Sequence, residues 1–542
     1  MAKYKQAVIN TEKPFPLWAK LIFAVLLVAY ASVFMARQVN FVTADLGRHI
    51  TNGKVFVETG KIISTNYYSF TEPDFLAINH HWGSGVIFYL VHQAFGFTGL
   101  SVFYVLTIIG ALLLFSAAAL KFADVRVVFF SAIIAVPLIA YRTEIRPEGI
   151  SLFFVGLFFY LLVLFREGKL KFPITLVLLA IAQLLWVNAH IFFFMGFMLT
   201  GFFLAEEFLV GKDKRKINNY LILIVVMVFS SLINPFFIKG FLAPFTIFKE
   251  YGYMIAENQS VLFMQERFDN TEFIHFEIQS AIILLLFAWM FIQKKAKQSL
   301  ILLLPFVAFG LLGFMAVRGI PLLALIAIPA GALLVQQITL RYMTGAKKII
   351  FSLLSCLAVL IALLGYQSGY ATEKKNKKKN ATYKEPAYLS PIKYTTGIGL
   401  FPEMNLSAEF FLKNNIKGPV FNNYDIGGYL IYHLYGKEKV FVDNRPEAYS
   451  VDFFKQTYIP MQEKMEKFRE VEKQYKFNCI WFYRHDNTPW AQPFLLQLIE
   501  QSDYAPVFVD QLTIIFLKRN EQNAALIGKY ELPKSMFRSV PG

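Results

Sequence analysis

Apolar runs long enough to cross a bilayer recur along this chain, and they fix its class before any motif is read. A helix needs about 18 to 20 apolar residues to span hydrocarbon, and several segments meet that length with few or no charges. Of 542 residues, 56% are hydrophobic and 17% charged, and Phe alone accounts for 58. A soluble domain of this size must cover itself with polar surface, so the composition excludes one. The expected fold class is a polytopic α-helical membrane protein. A net charge of +16 would suggest nucleic acid, yet Lys and Arg sit mainly in short loops between the runs. That is the positive-inside pattern, which argues for membrane lipids and against a nucleic-acid partner. The cysteines, Cys356 and Cys479, offer neither a disulfide framework nor metal spacing.

The first span is expected at Leu17–Ala36. Lys3, Lys5, Lys13 and Lys20 resemble the basic end of a signal peptide, but the run is span-length, so it reads as an uncleaved anchor. Later spans are expected at Leu100–Leu120, Val127–Tyr141 and Gly149–Phe165. Residues Phe172–Leu209 are too long for one helix and divide into two at Asn188-Ala189-His190. Further spans follow at Tyr220–Ile233, stopped by Asn234-Pro235, then at about Glu277–Ile292, Ser299–Val317, Gly319–Gln336 (hinged at Arg318) and Ile349–Tyr366. That makes about eleven spans in a domain of residues 1–370, with the N-terminus inside. Residues 37–98 form a large first outer loop, with interfacial helices expected at Ile50–Glu58 and Val86–Phe95. A basic linker, 371–383, falls outside against the charge trend. Residues 384–542 turn globular, with strands expected at Pro419–Phe421, Lys439–Asp443, Cys479–Tyr483, Pro506–Val509 and Thr513–Lys518. Helices between them at Ser407–Asn414, Gly427–Leu434, Val451–Tyr475 and Pro493–Ser502 make this a small outer α/β domain.

Candidate chemistry clusters on the outer side. Asp45 stands just past the first span, where a carboxylate is costly unless solvated or paired, so it is a functional candidate. The competing reading is a solvated aspartate capping the helix that begins near Leu46. His49, four residues on, could orient Asp45 or share its proton. Arg48, His80, His81 and Trp82 complete the polar part of this loop as candidate substrate contacts. A zinc site at the adjacent histidines lacks cysteine partners, and no metal ligand is assigned. Arg142, Arg146 and Arg318 emerge at the outer ends of different spans, suited to gripping a phosphate by paired, charge-assisted bonds. They could instead snorkel or pair with Glu144 and Glu148. His190, beside Trp186 and Asn188, faces the same side.

Together these residues suit one reaction, although a transporter could use the same inventory. A sugar on a lipid phosphate needs little acid help to leave, so one base for the acceptor and cations for the departing phosphate suffice. A glycosidase would want two carboxylates flanking the bond. No cofactor is called for.

The chain resembles the C-type superfamily of multispanning bacterial glycosyltransferases, relatives of the protein O-mannosyltransferases and aminoarabinose transferases. The matching residues run in order: Asp45 to His49, Gly60, Tyr67–Thr71, Asn79 to Trp82, Arg146-Pro147, Trp186-x-Asn188-x-His190, Asn234-Pro235 and Arg318. VFNNYDIGGYLIYHL (Val420–Leu434) and VFVDNRPEAY (Val440–Tyr449) follow in the outer domain. The resemblance implies that Asp45 is the catalytic base and that Arg146 and Arg318 serve the lipid-phosphate side. It also implies a bacterial inner-membrane protein with a periplasmic C-terminal domain and a polyprenyl-phosphate-linked sugar as donor. Two departures stand in the site. Gly47-Arg48 replaces the usual aromatic pair, and His81 replaces the usual Glu, which leaves open a different sugar or a silent site. The alternatives are therefore an inactive relative that binds an envelope protein partner, and a transporter or flippase of lipid-linked glycans. Asp425, Asp443 and Arg445 could form a second site, or else Asp425 caps a helix and Asp443 to Pro446 makes a turn.

Overall fold

The computed structural model describes residues 16–246, 250–268, 270–293, 299–342 and 396–537. Ten apolar helices stand where the first ten spans were expected, making this a multi-pass membrane protein. Seven of them are long and apolar enough to cross a bilayer by length and composition, and the three at Lys20–Met35, Val125–Ile139 and Leu300–Met315 are shorter. The eleventh expected span, the basic linker and Cys356 lie outside the described residues.

In chain order the helices are α1 (Leu17–Met35), α2 (Leu46–Thr59), α3 (Trp82–Ala119), α4 (Val125–Ile139), α5 (Pro147–Arg166), α6 (Phe172–Ala189), α7 (Phe194–Glu206), α8 (Lys214–Leu232), α9 (Thr271–Ile292), α10 (Leu300–Met315) and α11 (Ile320–Tyr342). The interfacial piece at Val86–Phe95 and the following span form one element, α3. It is broken only at Gly96, whose φ of 62° falls where a side chain would be strained. Helices α8 and α9 begin six residues earlier than expected, because the polar residues of Lys214–Asn219 and Thr271–Phe276 continue the helical turn. Helix α11 is almost wholly buried and forms the centre of the bundle against α4, α10 and α3.

The bundle has two chemically different ends. At one, Lys121 lies beside Lys169, Arg166 forks onto Glu206 (2.6 and 2.9 Å), and Lys216 donates to the Arg166 carbonyl. At the other stand Asp45, Arg142, Arg146, His190, Glu257 and Arg318, together with the C-terminal domain. Three of the basic loops assigned to one side by charge, those holding Lys121, Arg166–Lys169 and Lys216, meet at that first end, and the loop at Lys294–Lys297 lies outside the described residues.

The C-terminal domain is built on a four-stranded sheet of order β1-β2-β4-β3. Its strands are β1 (Val420–Asn422), β2 (Cys479–Tyr483), β3 (Tyr504–Val509) and β4 (Thr513–Lys518). The β1–β2 pair is parallel and the other two pairs are antiparallel. Aromatic and branched runs such as CIWFY bury both faces, under helices α12 (Leu406–Lys413), α13 (Gly427–Leu434), α14 (Met465–Tyr475) and α15 (Ala491–Glu500). The helix expected over Val451–Tyr475 is broken at Ile459 and Lys464 into three pieces. The strand expected at Lys439–Asp443 does not form. The Asn422 side chain takes up the Phe441 N–H (2.9 Å) and the Val442 carbonyl (2.8 Å), so an amide group replaces the ladder. Val440 instead pairs with the first outer loop, exchanging bonds with Tyr68 and Phe70. Ser69 and Thr71 add side-chain bonds to the Phe441 carbonyl. The Tyr67–Thr71 stretch therefore stitches the loop to the domain.

Candidate functional site

Asp45 is the residue before α2, and its carbonyl accepts the His49 N–H at 3.1 Å, which starts the helix. Its carboxylate does not cap that helix, so the capping alternative fails. The side chain turns instead toward Arg146 (3.5 Å) and Arg48 (3.7 Å) and keeps 18% of its surface exposed. Burial raises its pKa, and the charges of Arg146 and Arg48 work against that rise.

Arg146 is positioned by Pro147. A residue before proline is driven out of the helical region, and Arg146 is extended (φ −135°, ψ 157°) at the start of α5. Its guanidinium reaches Glu257 (3.0 Å to both carboxylate oxygens) and Glu144 (2.7 Å). Arg142 also binds Glu257 (2.8 Å) and approaches Glu148 (3.5 Å). Arg318 sits on the single turn Val317–Gly319 between α10 and α11 and bonds Asn258 (2.7 Å) and Glu148 (3.2 Å). Three arginines from distant loops thus converge on one patch beside Asp45, where they pair with carboxylates rather than snorkel. Glu257 is their shared counter-ion. Burial pushes its pKa up, but Arg142, Arg146 and Arg318 outweigh that and hold it well below the usual carboxylate range. Sequence reading saw Glu257 only as one charge in a mixed loop. Its sole local signal is a carboxylate beside Asn258 in an aromatic stretch, which does not reveal three arginine partners.

A second cluster adjoins the first. His81 lies between His49 (ring centroids 5.4 Å apart) and His190 (4.9 Å), with His80 at 4.0 Å. His190 shares a 2.7 Å hydrogen bond with Ser151, which also receives the Trp186 indole N–H at 2.8 Å. Burial lowers the pKa of all four histidines, His80 to about 4, so they are neutral at pH 7. His49 faces His81, and no hydrogen bond joins its ring to Asp45; its Nδ1 is buried without a partner. The i+4 spacing is spent on the backbone bond. Trp82 donates its indole N–H to Asn188 (3.0 Å), locking α3 to α6. Among the described residues no set of three or more His, Cys, Asp or Glu side chains is arranged to hold a metal.

Beneath Trp82 and Asn188 an apolar groove of about 670 Å³ runs between α3, α5 and α6, walled by Val86, Phe103, Leu106, Phe153 and Leu185. Its head lies at Ala189, next to His190, whose neighbour Phe192 carries the Arg318 guanidinium over its ring at 5.6 Å. Long apolar and charged surfaces meet there.

Seen with this geometry, the comparisons decide the architecture. No protein-family model and no curated protein matches the chain in sequence. Solved structures do match in shape. The oligosaccharyltransferase AglB of Archaeoglobus fulgidus, in complex with an inhibitory peptide and a dolichol-phosphate, superposes with a TM-score of 0.58 at 12% identity, over 90% of this chain and 72% of that one. ArnT of Cupriavidus metallidurans in the apo state gives 0.54 at 12% identity, over 95% and 99%. The mycobacterial arabinofuranosyltransferase AftD gives 0.54 at 12% identity, over 95% of this chain and 42% of that one. The chain has the C-type glycosyltransferase fold. ArnT has also been solved bound to undecaprenyl phosphate.

Within that fold, the C-terminal domain closes over the Asp45 end of α2. Helix α13 lies along α2, and a Cβ on Gly47 would stand 2.4 Å from the Gly428 carbonyl oxygen. Gly47, one of the two departures from the pattern, is thus where this chain lets the domain approach. Asp425 does not cap a helix; it sits inside the turn Tyr424–Ile426, where burial and then nearby Asp486 and Asp45 raise its pKa. Asp443 and Arg445 are locked together by two bonds of 2.8 and 2.7 Å, away from solvent.

Proposed function

We propose that this chain moves a sugar from a polyprenyl-phosphate donor to an acceptor on the outer side of the membrane, with Asp45 as the base. The orientation that goes with this reading puts the N-terminus in the cytoplasm and the sheet domain in the periplasm of a bacterial inner membrane. The observation that carries it is a pair of buried guanidinium donors, one beside Asp45 and one in the adjoining arginine–carboxylate patch. Arg48 Nε and Arg318 Nε have no hydrogen-bond partner among the described residues. Buried polar groups are nearly always paired, so unpartnered cationic donors in a carboxylate-rich patch fit the oxygens of an anionic substrate. The groove ending at Ala189 fits the lipid tail that such a substrate carries.

The step balances without a cofactor. Asp45 takes the proton of the acceptor O–H or N–H, and that atom attacks the anomeric carbon. The bond from that carbon to the phosphate oxygen breaks, and the lipid phosphate leaves with one additional negative charge. Arg146, Arg318 and Arg142 face that charge, and Arg48 faces the carboxylate. The neutral histidines can donate or accept hydrogen bonds to sugar hydroxyls without adding charge. The support from related folds is that AglB is solved with dolichol-phosphate and ArnT with undecaprenyl phosphate. The test is transfer from radiolabelled polyprenyl-phosphate sugars in membranes. The wild type should label an envelope acceptor, and Asp45→Asn should not; equal labelling by both would end the assignment.

A further inference from the structure

At the far end of α2 from Asp45 lies a cleft of about 710 Å³ between the first outer loop and the outer domain. Tyr67, Tyr68 and Tyr435 line it, with Lys437, Glu438 and Lys439 along its rim. The Tyr67 and Tyr68 rings are 5.3 Å apart and nearly perpendicular, and Tyr68 and Tyr435 are 6.1 Å apart. Lys439 stands 6.0 Å over the Tyr67 ring, and Lys54, from the last turns of α2, stands 5.8 Å over Tyr435. Tyr68 is buried and fixed by a 2.8 Å bond to Asn52, so the back wall is rigid, whereas Tyr67 is 45% exposed.

The cleft is separate from the Asp45 centre. Helices α2 and α13 run side by side, with Gly47 against Gly428 at one end and Lys54 against Tyr435 at the other. Asn52 lies seven residues beyond Asp45, about 10 Å along the helix. The packed helix pair stands between the two sites.

The lining selects a ligand class. Recognition through the main chain by strand addition is closed off here, because Val440 already bonds Tyr68 and Phe70 on its free side. Side-chain recognition remains: flat aromatic faces, phenol hydroxyls, two exposed ammonium groups and one carboxylate. Sugar rings present an apolar face to an aromatic ring and hydroxyls at their edges, and they match that set. We propose that this cleft binds a carbohydrate chain, with acidic sugars favoured by Lys437 and Lys439. The site does not depend on the donor chemistry at Asp45.

Isothermal titration of the full-length protein in nanodiscs, with maltohexaose and with hexagalacturonate, tests it. Saturable binding is expected, tighter for the acidic probe. Tyr67→Ala should weaken it at least tenfold, Tyr67→Phe should retain it, and Asp45→Asn should bind as wild type. No binding of either probe, binding indifferent to Tyr67→Ala, or equal loss in Asp45→Asn would each overturn the proposal. Failure of transfer by the wild type would count against the Asp45 reading and leave this one standing.

Discussion

Two carboxylate–arginine pairs in this molecule look alike in sequence and differ in almost every physical respect. Asp443 is fully buried, receives two bonds from Arg445 at 2.8 and 2.7 Å, and accepts the Tyr449 hydroxyl at 3.2 Å. Arg445 spends a further donor on Asn66 of the first outer loop. Both guanidinium bonds to Asp443 are of full hydrogen-bond length. Asp45 keeps its arginines at 3.5 and 3.7 Å, beyond hydrogen-bond length, and part of its surface is open. Beside it Arg48, and in the adjoining patch Arg318, each have one buried donor without a partner among the described residues. A saturated pair holds a fold together, and an unsaturated one is poised to bind. That contrast supports the proposed base at Asp45 and makes Asp443–Arg445 a clasp between the loop and the C-terminal domain.

Substituting one member of each pair is the most direct way to break this comparison. Asp45→Asn should cut transfer by about 10²- to 10⁴-fold, the range of a lost general base, with thermal stability unchanged. Arg445→Ala should do the reverse. It strands a buried carboxylate, which costs about 3–5 kcal/mol, and should lower the melting temperature measured by nanoDSF. Whatever fraction folds should keep its turnover per correctly folded molecule. If Arg445→Ala destroys turnover without loss of stability, the division of roles is wrong.

The sequence made much of this legible, and unevenly. Spans could be placed because hydrophobicity is a property of consecutive residues, and the break at His190 is local. The strand expected at Lys439–Asp443 failed because the Asn422 amide, distant in sequence, satisfies that backbone. At the site, Asp45, Arg142, Arg146 and Arg318 stood out singly as charges at span ends. Glu257 did not, because its meaning lies in three partners from other loops. His49 was read from helical spacing alone, and its ring faces His81.

A smaller effect is expected where the two regions touch. Gly47→Ala would push a methyl group onto the Gly428 carbonyl, and overpacking of this kind costs about 1–3 kcal/mol. The strain should fall on the α2–α13 contact and move Asp45, so transfer should drop more than melting temperature does. A variant with normal transfer would show that the outer domain is not needed to position the base.

The finest test concerns charge around Asp45. Burial raises its pKa, and as a base it must be ionised, so activity should fall with decreasing pH at a higher pH than an ordinary carboxylate would give. Arg48 opposes that rise, whereas Glu257 adds to it. Arg48→Gln should therefore shift the acidic limb of kcat/KM further up, and Glu257→Gln should shift it down by less. Opposite signs from two neutralising substitutions are what a titrating Asp45 requires, since a general loss of structure would depress the profile without moving it in two directions. At Asp443 the same logic predicts no movement of the limb, because that carboxylate takes no part in turnover. Shifts of one sign in both variants would mean that another group sets the profile.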